Sequence, residues 1–282
     1  MEPHGVLVVT CPDRPGIVAA IAGFLAERGA NIVEAEQHSE RSSSTFFFRV
    51  EFEPGGIPRA ALQREFAPIA KRFAMTWRLR FTDQPKRMAI FVSKYDHCLL
   101  DLLWRQRAGE IRAEVPLVIS NHPDLRSVVE GFGIRFEHVP ITPETKPDQE
   151  RRELAMLEEC AIDFVVLARY MQVLSPVLLA GFPLRVINVH HGLLPSFAGA
   201  RPYDQARERG VKVIGATAHY ATEVLDDGPI IAQDVVAASH RDSVADLVRK
   251  GRDVERIVLA RAVRAHAEDR VFVDGRRTVV FA

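Results

Sequence analysis

Short apolar runs alternate with longer amphipathic stretches along the 282-residue chain, and the alternation changes character near residues 82–87. Before that point the pattern predicts strands at 6–10, 31–37, 45–52 and 76–81 and helices at about 16–28 and 59–73. This βαββαβ order is that of a ferredoxin-like sandwich. After it, strands at 87–92, 115–120, 135–138, 164–167 and 185–189 alternate with helical stretches. Their near-continuous apolar character suits strands covered on both faces, so a Rossmann-like, mostly parallel, doubly wound α/β sheet is expected. The polar stretch TDQPKR, with Pro85 inside it, reads as a linker. The expected division is a first domain at 1–83, a linker at 84–87 and a second domain at 88–282.

Composition narrows the function. Lysine plus arginine and aspartate plus glutamate each number 37, so no charge excess points to nucleic acid or a membrane surface. Cys11, Cys98 and Cys160 are odd in number, far apart and without metal-ligand spacing, which suits free thiols in a reducing compartment. No apolar run approaches bilayer length, and MEPHGVLVVT enters a strand pattern without a basic stretch or cleavage site. A cytoplasmic protein is expected.

Chemistry concentrates in RVINVHHGLLPS, residues 185–196. The strand ends in Asn188 and His190, two positions apart and therefore on one face. In open α/β sheets, ligands sit at the carboxyl ends of the strands. An amide N–H there can donate to a developing oxyanion while an imidazole moves a proton, which suits attack on an electrophilic carbonyl. The same N-x-H pair also occurs as a simple strand-end cap, and the pattern alone leaves both readings open. Adjacent His190 and His191 point to opposite faces and lack further ligands at metal spacing, so no metal site is expected. Downstream, GATAHYATEVLDDGPIIAQDV (215–235) carries His219 on a strand and then Asp226 and Asp227 before Gly228. One aspartate could orient an imidazole, although D-G is also an ordinary turn.

Taken together, these segments resemble the enzymes that handle the formyl group of 10-formyltetrahydrofolate, including glycinamide ribonucleotide formyltransferase. By motif position the resemblance places the catalytic triad on Asn188, His190 and Asp226. It also makes ARYMQVLS (168–175) part of a pteridine pocket lined by Met171, Val173 and Leu174, three residues that by themselves would suit the start of an amphipathic helix. A transferase acting on a phosphorylated amine needs a glycine-rich phosphate cradle after its first strand. FVSKYDHCLLDLL (91–103) has no glycine there. That stretch, SNHPDLRSVVEGFGI (120–134), INVHH, GRDVERIVLARAV and RVFVDGRRTVVF are instead similar to the formyltetrahydrofolate deformylases. CPDRPGIVAAIAGFLAERGANIVEAEQ (11–37) resembles the start of an ACT module, which that family carries ahead of its hydrolase domain. One position departs from the family pattern: Gly192 follows the double histidine where serine is usual, which removes one hydroxyl.

The resemblance implies hydrolysis of 10-formyltetrahydrofolate to tetrahydrofolate and formate, balancing one-carbon pools for purine biosynthesis. The folate is the substrate, and no cofactor is required. His191, Gly192 and His219 join Met171, Val173 and Leu174 around the substrate, and Lys94 and His191 shape the space a transferase would give its acceptor. In the ACT module, Asp13, Gly16 and Asn31 are the candidate ligands for an amino-acid effector, with a pure dimerisation surface as the alternative. A homo-oligomer, dimer or tetramer, is expected. A formyltransferase to an amine and an inactive amino-acid sensor are the other functions the sequence leaves open.

Overall fold

The computed structural model describes residues 3–195 and 202–281. Ser196, the last residue of the HHGLLPS motif, lies outside them. The chain divides into two compact units, Met1–Pro85 with Asp269–Asp274 and Val279–Ala282, and Lys86–Glu268 with Gly275–Thr278.

The first unit runs β1 (Gly5–Pro12), α1 (Ile17–Ala26), β2 (Asn31–Glu40), β3 (Thr45–Glu53), α2 (Arg59–Arg72) and β4 (Thr76–Phe81). Its four strands form an antiparallel sheet ordered β2-β3-β1-β4. Leu7, Val9 and Cys11 of β1 face the core shared with Ile21, Phe24 and Phe66 of the two helices. Val6 and Val8 alternate to the opposite face and pack with Phe47, Phe272 and Phe281. The strand is apolar throughout because both of its faces are covered. On that second face Arg270 also pairs with Glu34 at 2.7 Å and Glu36 at 2.6 Å. The C-terminal residues 269–274 and 279–282 therefore belong with the first unit, which corrects the expected boundary that gave them all to the second domain.

The second unit contains β5 (Lys86–Val92), α3 (His97–Arg107), β6 (Ala113–Ser120), α4 (Arg126–Gly131), β7 (Arg135–His138), α5 (Lys146–Glu159) and β8 (Phe164–Leu167). It continues through α6 (Pro176–Gly181), β9 (Val186–His190), α7 (Pro202–Glu208), β10 (Val213–Tyr220), β11 (Ile230–Ala237) and α8 (Val244–Ala267). A short pair, β12 (Val271–Asp274) and β13 (Arg277–Val280), closes the chain. The seven-stranded sheet is ordered β11-β10-β9-β8-β5-β6-β7. Pairings from β9 through β7 are parallel, and β10 and β11 join antiparallel. All four residues of β8 are buried, as expected for a strand between two helical layers. The chain winds outward from β5 to β7, then returns to β8 on the other side, so the strand order reverses between β5 and β8. Open sheets form their ligand crevice at such a reversal, beyond the carboxyl ends of the strands.

Helix α8 begins with a capping box. Ser243 Oγ accepts from the Asp246 N–H at 3.1 Å, and the Asp246 carboxylate accepts from the Ser243 N–H at 3.1 Å. This fixes the start of a 24-residue helix whose buried stripe includes Gly251 and Glu255. No helix among the described residues is long and apolar enough to cross a membrane.

Candidate active site

Antiparallel pairing of β9 with β10 sets Asn188 directly opposite His219 and His190 opposite Thr217. The register of β10 against β11 shifts between Ala218 and His219, a bulge of the kind that re-aims a side chain beside a site. Asn188 Nδ2 lies 3.2 Å from His219 Nε2, and His219 Nδ1 lies 3.0 Å from the Tyr220 carbonyl. A carbonyl only accepts, so Nδ1 carries the proton and Nε2 accepts from the Asn188 amide. That contact turns the amide nitrogen inward and leaves its second hydrogen for a ligand.

Asp226 comes from the loop after β10. Its backbone is left-handed, with φ 56°. The loop can fold back because residue 228 is glycine; a Cβ there would lie 1.7 Å from the Tyr220 carbonyl oxygen. Asp226 Oδ2 is 3.0 Å from His190 Nδ1, and Oδ1 is 3.5 Å from His219 Nε2. The hydrogen bond from His190, with the His219 ring beside it, holds the Asp226 carboxyl well below the usual carboxylate range. Asp227 turns the other way and pairs with Arg276. The two neighbouring aspartates therefore differ, one meeting imidazoles and the other the surface.

The HHG turn is anchored by groups the sequence reading did not single out. Thr217 Oγ donates to the Gly192 carbonyl at 2.8 Å and accepts from the Leu194 N–H at 3.1 Å. Gln233 Nε2 donates to Thr217 Oγ at 2.9 Å and to the Leu194 carbonyl at 3.0 Å. Alternation along β10 and β11 would have marked both as facing the same side as His219, but not as reaching this turn.

A cavity of about 80 Å³ opens beside the triad, with Val173, Leu174, Asn188, His219 and Asp226 on its walls. Val173 and Leu225 on its walls are 56% and 66% exposed, so a polar base carries an apolar rim. Met171, expected in the pocket, is 57% exposed and does not line this cavity. Lys94 is exposed. The 170–175 segment is tied down by α5: Glu150 accepts from the Ser175 N–H at 2.9 Å, Lys146 donates to the Val173 carbonyl, and Tyr170 donates to Glu153 at 3.3 Å.

A second buried cluster adjoins the triad. Glu255, 2% exposed, accepts from His97 Nε2 at 2.8 Å and from the Tyr203 hydroxyl at 3.0 Å, with Arg169 Nε 3.5 Å away. His191 lies between the two groups, its ring 5.3 Å from that of His190 and 6.1 Å from that of Tyr203. Burial, with the charge of Arg169 second, pushes the His191 imidazole down to about 4, so it is neutral near pH 7. Burial raises the Glu255 carboxyl, but the His97 hydrogen bond and the Arg169 charge outweigh it and hold the group ionised. His97, Cys98 and Glu255 present ligand atoms within 4.8 Å of one another. The guanidinium beside Glu255 and a Cys98 thiol pushed well up by burial make this a poor cation site.

In the first unit the effector candidates are not brought together. Gly16, at φ 94°, lines a surface groove with Arg14 and Arg72. Asn31 instead donates to Glu53 at 3.1 Å, and Asp13 is exposed, its N–H bound to the Ser44 carbonyl; neither lines that groove.

A formyl transferase family model matches residues 86–263 and an ACT domain model residues 5–64. The formyltetrahydrofolate deformylase of Synechocystis sp. is 55% identical over 278 residues, covering 98% of each chain. This chain belongs to the formyltetrahydrofolate deformylase family. The crystal structure of a formyltetrahydrofolate deformylase from Pseudomonas syringae pv. tomato superposes with a TM-score of 0.97 at 48% identity, over 100% of this chain and 95% of that one. The glycinamide ribonucleotide transformylase 1 of Symbiobacterium toebii gives a TM-score of 0.67 at 32% identity, over 73% of this chain and 98% of that one. The deformylase likeness therefore runs the whole length of this chain, including the ACT domain.

Proposed function

We propose that this chain hydrolyses 10-formyltetrahydrofolate to tetrahydrofolate and formate, and that Asn188, His190 and Asp226 carry the reaction. The observation that supports the roles most directly is the His190 ring. Its Nδ1–H is given to Asp226, and its Nε2 is buried without a hydrogen-bond partner among the described residues. A ring fixed in that tautomer keeps a basic lone pair on Nε2, next to a cavity whose walls include Asn188 and Asp226.

The aromatic part of the folate rests against the apolar rim of Val173, Leu174 and Leu225, with the N10-formyl group over Asn188. Water attacks the formyl carbon and His190 Nε2 takes its proton. The imidazolium so formed is stabilised by the Asp226 carboxylate. Asn188 donates to the oxyanion, an interaction worth about 3 kcal/mol in comparable sites. The tetrahedral intermediate collapses, the carbon–N10 bond breaks, and His190 returns the proton to N10 as the amine leaves. One carbon–oxygen bond has formed and one carbon–nitrogen bond has broken, with no redox change. No cofactor enters the scheme.

Formate release then supplies one-carbon units for purine biosynthesis. The reading extends to a homo-oligomer working in the cytoplasm, with an amino-acid effector held by the ACT domain; the domain match over residues 5–64 supports the effector. Purified protein incubated with 10-formyltetrahydrofolate alone should release tetrahydrofolate and formate in equal amounts. Turnover only after adding an amine would replace hydrolysis by transfer, and no turnover under either condition would defeat the reading.

A further inference from the structure

The reversal of strand order between β5 and β8 is where this fold offers a crevice for an anion. The residues just beyond those strand ends are Ser93 to His97 on one side and Ala168 to Met171 on the other. The two loops are stitched together: the Ser93 hydroxyl accepts from the Met171 N–H at 2.9 Å and donates to Asn121 at 2.7 Å. Two side chains from these loops, His97 and Arg169, converge on one point, and a carboxylate already stands there. It is Glu255, reaching in from α8.

Three features show that this place is built rather than incidental. Arg169 has a left-handed backbone, φ 61°, which an arginine adopts only when its surroundings hold it there. Its Nε is buried without a hydrogen bond of its own, 3.5 Å from the Glu255 carboxylate. Gly251, one turn before Glu255 on α8, leaves the space that the Tyr203 hydroxyl fills on its way to Glu255; a Cβ at 251 would lie 1.9 Å from that oxygen. A guanidinium, an imidazole and a phenol around one carboxylate are the donor set expected of a receptor for a small carboxylate. His191 connects this receptor to the triad.

Resting on the hydrolase reading above, we propose that Glu255 is an internal anion that plugs the acceptor side of the cleft, so that water alone takes the formyl group. With Glu255 in place, an acceptor that carries its own carboxylate or phosphate finds the His97, Arg169 and Tyr203 donors already taken. Without that side chain, the His97, Arg169 and Tyr203 donors form a site for a small free carboxylate. An amino acid bound there by its carboxylate presents its amine to the formyl carbon. The carbon–N10 bond then breaks, an amide bond forms, and the amine proton travels through His190 to N10.

The test uses full-length protein carrying Glu255→Ala, with acetate as probe and without folate. Acetate should raise the melting temperature of the variant saturably and leave the wild type unmoved. In the presence of 10-formyltetrahydrofolate and glycine, the variant should yield N-formylglycine while the wild type yields only formate. Acetate should suppress that product by competition. A folded Glu255→Ala whose melting temperature ignores acetate, or which makes no N-formylglycine, overturns the plug. If Glu255→Ala does not fold, Glu255→Gln keeps the volume and removes the charge, and it should hydrolyse within about tenfold of the wild type. Loss of hydrolysis in folded Glu255→Gln would instead place the charge in the chemistry and end the proposal. Wild-type hydrolysis, measured beside these, reports on the underlying function separately.

Discussion

His190 Nδ1 lies 3.0 Å from Asp226 Oδ2, and the opposite nitrogen of the same ring is buried without a partner among the described residues. The carboxylate thus decides which nitrogen is basic. Asp226→Asn offers an amide N–H where the carboxylate accepted, which reverses the tautomer and puts a proton on Nε2. Formate release should fall by roughly 10⁴-fold, the scale seen when an orienting aspartate is made an amide, with the melting temperature little changed. A variant within tenfold of wild-type kcat would remove Asp226 from this role.

Asn188 should matter mainly in the transition state. Its amide is held by His219, so Asn188→Ala removes a preorganised donor and leaves the apolar rim as it was. The expectation is a loss of about 10²–10³ in kcat with KM for the folate little affected. A rise in KM with unchanged kcat would mean that Asn188 only binds the ground state.

Glu153 makes stability depend on pH. It is fully buried and burial pushes its carboxyl up to about 7, only partly offset by the hydrogen bond from Tyr170. The folded chain therefore keeps a proton there that the unfolded chain, with an ordinary value near 4.5, has given up. Stability falls as pH rises from about 4.5 to about 7, and the full cost, on the order of 3 kcal/mol, persists above that window. Glu153→Gln should raise the melting temperature at pH 8 relative to wild type and have little effect at pH 4.5. Equal melting curves for the two proteins at both pH values would refute this.

Thr217 should act through the turn that follows the triad histidine. Its hydroxyl bonds to Gly192, Leu194 and Gln233 at once, so Thr217→Val leaves two donors and one acceptor to find other partners. A cost of about 2–3 kcal/mol is expected, read as a lower urea midpoint with an unchanged slope. Activity should fall in parallel, since the turn that carries His191 loses its anchor.

The strands were legible because their hydrophobic period is a local property. Residues 6–10, 31–37 and 45–52 fall inside β1, β2 and β3, and 164–167 coincides with β8. Asn188 and His190 were legible for the same reason, since alternation along a strand fixes a shared face. Asp226 came from motif resemblance; local spacing could not separate it from Asp227. The packing of Phe272 and Phe281 on Val6 and Val8 had a trace in the sequence, because β1 is apolar on both alternating faces, yet that pattern does not say which distant segment covers the second one.

By itself the sequence determined two α/β modules in order, a strand ending in an amide and an imidazole, and membership of a family defined by those motifs. Tertiary structure alone decided that Asp226 rather than Asp227 meets His190, that Thr217 and Gln233 hold the turn, and that Glu255 stands between His97, Arg169 and Tyr203. The physical reason is reach. Periodicity and turn chemistry act over a few residues, whereas Glu255 lies 158 positions from His97 and 52 from Tyr203. Only assembly of the sheet, with α8 packed against it, brings such groups within hydrogen-bonding distance.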